Sequence, residues 1–136
     1  MKKRGQISVE FIVIYGFVLL MMIPLTIIFY TQSGDTKDVL YNNQLHNIGT
    51  RVIDKAESIY YYGQPSKTTI KAYFPENIEN ITIKNREFIF KFRNSKNTLN
   101  EIILTSLVNI SGSVSNNQGI HNIIIESQGD YVKISG

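Results

Sequence analysis

The chain of 136 residues contains no cysteine and no tryptophan, and only three prolines and two histidines. Without cysteine there is neither a disulfide framework nor a thiolate metal site, so any extracytoplasmic domain here folds without covalent staples. The two histidines, His46 and His121, stand in no H-E-x-x-H or nucleophile-elbow context, which makes a hydrolase hard to build. Carboxylates are scattered singly, with no paired acid/base signature and no calcium-loop spacing. No glycine-rich loop joins a strand to a helix to cradle a phosphate. These absences read as a chain that is not an enzyme and carries no cofactor and no metal.

An excess of charge is lacking too, once its position is taken into account. The pI of 9.1 and net charge of +3 suggest a polyanionic partner at first sight. Three of the 14 basic residues are Lys2, Lys3 and Arg4, and those that remain only equal the 11 acidic residues. The body of the chain is neutral, and nucleic acid loses its electrostatic support as a partner.

What is present in plenty is apolar length. Phe11 to Tyr30, FIVIYGFVLLMMIPLTIIFY, carries no charge. Twenty residues of helix rise about 30 Å, the hydrocarbon thickness of a bilayer. Basic residues flanking a span stay in the cytoplasm, so Lys2, Lys3 and Arg4 orient the rest of the chain outward. A secretory signal would carry an apolar region of roughly 7–15 residues ending in small residues. This run is longer and leads into Tyr30-Thr31-Gln32-Ser33-Gly34, so a retained span fits better.

Glu10 is the unusual residue, because it stands at the edge of that run. A carboxylate costs about 2.5–3.5 kcal/mol at the bilayer centre and less near the interface. Two ordinary accounts exist: Glu10 stays at the headgroup level, or it favours the positive end of the helix dipole with Ser8 as the N-cap. Within the run, Pro24 removes the amide that would bond the Leu20 carbonyl. Gly16 and Pro24 are candidate flex points, or simply residues that membrane helices tolerate.

The string Lys2-Lys3-Arg4-Gly5, then Gln6-x-Ser8-x-Glu10-Phe11, then the uninterrupted apolar segment, resembles the class III signal peptide of archaeal type IV pilin-like proteins. That resemblance covers Lys2 to about Tyr30. It implies cleavage between Gly5 and Gln6 by an archaeal prepilin peptidase, with the apolar segment retained on the product. It also implies that Glu10, with Ser8 and Phe11 beside it, sets register by meeting the N-terminus of a neighbouring subunit. Physically, Gly5 offers no Cβ to obstruct a protease cleft. Cleavage would expose an α-amino group of ordinary pKa near 8; cyclisation of Gln6 would leave a hydrogen bond in place of an ion pair.

Beyond Gly34 the pattern becomes amphipathic. Leu45, Ile48, Val52, Ala56 and Ile59 recur every three or four residues, which predicts a helix from about Thr36 to Tyr62 stopped by Gly63-Gln64-Pro65. We expect it to continue the apolar helix as a nearly continuous spine. From Lys67 the period becomes two, with strands around Ile70 to Phe74, Ile81 to Ile83 and Glu87 to Arg93 and a hairpin turn at Asn85-Arg86. Further strands are expected at Glu101 to Ser111, Ile120 to Ser127 and Tyr131 to Ser135. The Phe88, Phe90, Phe92 stripe reads as core, and Tyr60-Tyr61-Tyr62 as helix-end packing.

The expected fold class is therefore α+β: a leader at 1–5, an apolar membrane or filament-core helix at 6–33, an amphipathic helix at 34–63, and an extracellular antiparallel β-sheet or β-sandwich at 64–136. Asn80-Ile81-Thr82 and Asn109-Ile110-Ser111 are N-glycosylation sequons in the outward part. The resemblance implies a structural subunit, major or minor, of a surface filament serving adhesion. Its implied partners are the prepilin peptidase, membrane lipid before assembly, the pilus assembly machinery, and copies of itself or other pilin subunits. Two other readings share the layout: a solitary membrane-anchored binding domain, and an accessory component resembling the archaellum stator.

Overall fold

The computed structural model describes the backbone from residue 3 and the side chains from residue 8 to the end of the chain. Helix α1 runs from Lys3–Tyr62, and seven strands follow: β1 (Lys67–Phe74), β2 (Ile78–Lys84), β3 (Glu87–Arg93), β4 (Leu99–Thr105), β5 (Ile110–Ser113), β6 (Gly119–Ser127) and β7 (Val132–Ser135). The α+β layout and the uninterrupted helix agree with expectation. The chain divides into two compact units, Met1–Thr36 and Lys37–Gly136.

In the first unit α1 stands without a core of its own. Its large apolar side chains from Val9 to Tyr30 are 47–78% exposed, and they point in every direction around the axis. A helix that is apolar all round belongs inside a membrane or a larger assembly. Polar groups within it are handled locally: Thr26 Oγ1 donates to the Met22 carbonyl at 2.8 Å and Thr31 Oγ1 to the Ile28 carbonyl at 2.9 Å. Such back-bonding lets a hydroxyl sit in an apolar helix without an outside partner.

In the second unit the helix buries one stripe. Leu45, Ile48, Val52, Ala56 and Ile59 are all buried, while Asn43, Asn47, Arg51, Asp54 and Lys55 remain exposed. Gly49 brings the backbone down onto the sheet: a Cβ there would lie 2.0 Å from Leu104 Cδ1 and 3.2 Å from Phe90 Cε2. The helix ends at Gly63, whose φ of 72° suits a left-handed cap that costs other residues more. The amide of Gly63 still reaches the Tyr60 carbonyl at 3.1 Å.

The strands form one sheet in the order β1-β6-β7-β5-β2-β3-β4. Phe88, Phe90 and Phe92 share its buried face with Ile70, Ala72 and Phe74 from β1, as strand alternation requires. A register shift between Ile78 and Asn80 turns both Ile78 and Ile81 inward although three positions separate them. Asn85 and Arg86 have φ of 52° and 72°, the positive pair of a type I′ hairpin turn.

Two features depart from the sequence reading. The sheet is mixed, because β7 returns after one hairpin and inserts parallel to β5, while every other pairing is antiparallel. Nor is 101–111 one strand. β4 ends at Thr105, and residues 106–109 carry the chain past the β2–β3 turn to the far side of that hairpin. Hydrogen bonds fix this crossing: the Ser106 amide donates to the Arg86 carbonyl at 2.7 Å, and Arg86 Nε donates to Asn109 Oδ1 at 3.2 Å. From the helix, Glu57 Oε1 accepts the Leu107 amide at 2.9 Å.

Two substitutions test this packing from opposite sides. A Cβ on Gly112, which has φ of 150°, would lie 1.8 Å from the Ile134 carbonyl oxygen of β7. Gly112→Ala should therefore lower stability by about 1–3 kcal/mol, the usual cost of holding a side chain in a strained backbone conformation, here against the backbone of the neighbouring strand. Ser127 Oγ is buried with no hydrogen-bond partner among the described residues, so Ser127→Ala should be neutral or stabilising by up to about 1 kcal/mol. Thermal unfolding of the detergent-solubilised chain reads both.

Candidate functional site

The N-terminal residues singled out by sequence fall into two groups. Lys2 lies outside the described residues, and Lys3, Arg4, Gly5 and Gln6 lie outside those whose side chains are described. Ser8, Glu10 and Phe11 are described, exposed, and inside α1. The helix begins at Lys3, which overturns the N-cap role for Ser8, since a cap must flank the helix and not sit within it. At about 100° per residue, Ser8 and Phe11 share one side of the helix as i,i+3 neighbours, whereas Glu10 lies nearly opposite Ser8. Phe11 leans along the helix onto Tyr15, with ring centroids 4.3 Å apart.

Gly16 and Pro24 both lie within the unbroken helix. A Cβ on Gly16 would meet nothing within 4 Å, so its lack of a side chain answers no need of this chain's own packing. The sequon asparagines are both exposed. Asn80 stands in β2 at the register shift, whereas Asn109 lies in the connection before β5 and accepts the Arg86 hydrogen bond through Oδ1.

His46 and His121 take ordinary structural positions. His46 Nδ1 lies 3.5 Å from Thr50 Oγ1, one turn along the helix. His121 stacks on Phe74 with ring centroids 4.6 Å apart, and its Nε2 lies 2.7 Å from the Asn117 carbonyl oxygen. Among the described residues no group of three or more His, Asp or Glu side chains gathers to hold a metal ion.

Sequence reasoning missed a cleft of about 580 Å³ in the second unit. The helix supplies Lys37, Tyr41 and Gln44, β1 supplies Tyr73, and Glu76 and Gln118 come from loops. A clamp holds one wall: Asp38 accepts the Ser95 amide through Oδ1 and the Ser95 hydroxyl through Oδ2, both at 2.8 Å. Arg93, also on the lining, forms an ion pair with Glu79 and donates to the Asn97 carbonyl. Within the cleft, Tyr41 donates to Glu76 Oε1 at 3.4 Å, Gln44 Nε2 to the Tyr73 carbonyl at 3.2 Å, and Gln118 Nε2 to the Tyr73 hydroxyl at 3.4 Å. These residues are far apart in sequence and no local motif joins them; only the pairing of β1 with β6 and the packing of the helix bring them together.

Burial pushes the Tyr41 hydroxyl above its ordinary pKa of 10.0, and the Glu76 carboxylate and then Tyr73 add to that effect. A raised folded-state pKa gives stability that is present below the unfolded value and is lost as pH rises through the folded one. The wild type should therefore lose more stability between pH 9 and 11 than Tyr41→Phe does, a difference that thermal unfolding at the two pH values measures. Comparison of the chain with protein-family models, with characterised proteins and with solved structures finds no match.

Proposed function

We propose that this chain is a structural subunit of an archaeal type IV pilus-like surface filament. It is inserted in the membrane as a precursor, trimmed between Gly5 and Gln6 by a prepilin peptidase, and assembled through its apolar helix. One observation carries the reading. The junction Lys2-Lys3-Arg4-Gly5-Gln6-x-Ser8-x-Glu10-Phe11 leads, within one continuous helix, into a stretch long and apolar enough to cross a membrane, with a mean hydropathy of 2.6 over an 18-residue window. None of the large apolar side chains from Val9 to Tyr30 is buried within the chain. Such a surface has two stable destinations, lipid before assembly and the helices of neighbouring subunits after it.

In this reading Lys2, Lys3 and Arg4 hold the scissile bond at the cytoplasmic face. Glu10 would be costly to leave unpaired among packed apolar helices, so a partner at the N-terminus of the next subunit fixes how far one helix slides along another. Gly16, with open space where a Cβ would stand, suits close approach by a second backbone. The second unit then forms the filament exterior with both sequons accessible, and the chain's role is structural and not enzymatic.

The N-terminus of protein recovered from sheared surface filaments tests this reading. The expected product begins at Gln6 or its cyclised form. Protein that keeps Met1 to Gly5 and is missing from filaments would replace the proposal with a solitary membrane-anchored domain.

A second measurement concerns Glu10→Ala. Membrane insertion should be unchanged, while the subunit's affinity for the growing filament weakens by about tenfold or more, roughly 1.4 kcal/mol, and filament yield falls. Normal filaments from that variant would remove the register role.

A further inference from the structure

We propose that the cleft between Tyr41 and Tyr73 is a binding site for a neutral saccharide. Its volume of about 580 Å³ falls within the roughly 300–1,000 Å³ typical of small-ligand sites, and it lies wholly within the second unit. The proposal does not depend on filament assembly.

The charges on the lining oppose an anionic ligand. Lys37 and Arg93 are matched by Asp38 and Glu76, and two of the four are engaged elsewhere, Asp38 with Ser95 and Arg93 with Glu79. With Arg93 paired to Glu79, the cleft sets Lys37 against the carboxylates of Asp38 and Glu76, and what it offers is hydrogen-bonding capacity weighted toward acceptors. Gln44 and Gln118 use their amide nitrogens on Tyr73, which turns each amide oxygen toward acceptor duty. Glu76 accepts from Tyr41 through one carboxylate oxygen and retains a second. Acceptors of this kind bind hydroxyl donors, and a ligand carrying several hydroxyls on one rigid ring satisfies them together.

Aromatic surface supplies the other half of the recognition. The C–H faces of a pyranose are apolar and pack on a phenol ring, which combines a broad apolar face with a polar tip. Tyr73 is 50% exposed. It is held at its hydroxyl by Gln118 and at its backbone by Gln44, and its cross-strand neighbour on β6 is Ile120. A ring fixed before binding loses little conformational freedom when a ligand stacks on it. A flat anionic ligand such as a nucleotide would meet Glu76 and Asp38 with only Lys37 as a cation outside those contacts.

The test uses the full chain in a zwitterionic detergent that carries no sugar headgroup. The probes are N,N′,N″-triacetylchitotriose, maltotriose and galactotriose, with a heparin fragment as the anionic control, and binding is followed by calorimetry and ligand-observed NMR. At least one neutral trisaccharide should bind. Tyr73→Ala should weaken it by about tenfold or more, and Tyr73→Phe, which keeps the ring, should lose much less. Circular dichroism checks the fold of each variant, and Leu107→Ala, at an exposed position outside the cleft lining, should bind as wild type. Failure of all three neutral sugars to bind would overturn the proposal. So would preference for heparin, or equal binding by wild type and a folded Tyr73→Ala.

Discussion

Everything in this chain depends on an apolar surface that its own fold does not cover. Between Val9 and Tyr30 the backbone is helical throughout, with only the Leu20 carbonyl deprived of its amide partner by Pro24, yet the large side chains remain exposed. At about 25 cal/mol per Å² of apolar area, leaving such a surface in water is costly, and contact with lipid or with protein relieves that cost. The same helix, further on, meets the opposite condition. From Leu45 to Ile59 only one stripe is apolar, and the sheet covers it.

The second unit shows how a domain of modest size gains a defined core without disulfides. Phenylalanines on β3, isoleucines on β2 and β6 and the helical stripe form one buried cluster. Close approach of the helix backbone at Gly49 tightens it, and Gly112 lets β5 lie close against the β7 backbone. Polar ties fasten the connections that the core does not reach: Asp38 to Ser95, Glu57 to the 106–109 crossing, and Asn116 Nδ2 to the Glu79 carbonyl at 2.7 Å. Each joins segments distant in sequence, so the loops are held by contacts with the helix or the sheet.

Legibility in the sequence followed the range of the interaction. Helix α1 and its stop at Gly63 were readable because period and cap are local, and the same holds for the Asn85-Arg86 turn and the Phe88, Phe90, Phe92 face. The break after Thr105 was not, because Glu101 to Ser111 keeps strand-like composition throughout; what ends β4 is the Ser106 amide finding Arg86 across the hairpin. The parallel β5–β7 pair was hidden for a similar reason, since sheet order is set by which edge is free. Ser8 looked like a cap from its residue type, yet the helix starts upstream at Lys3. The cleft had no local sign, as its walls join positions such as Asp38 and Ser95 that lie 57 residues apart.

The threonines of the apolar segment have one further consequence. Because Thr26 and Thr31 turn their hydroxyls back onto the carbonyls of Met22 and Ile28, these side chains ask nothing of the surroundings. A helix that is silent in this way can rotate or exchange one greasy neighbour for another without breaking a polar contact at those positions. Orientation then falls to the few groups that do have a preference, the phenols of Tyr15 and Tyr30 and the carboxylate of Glu10.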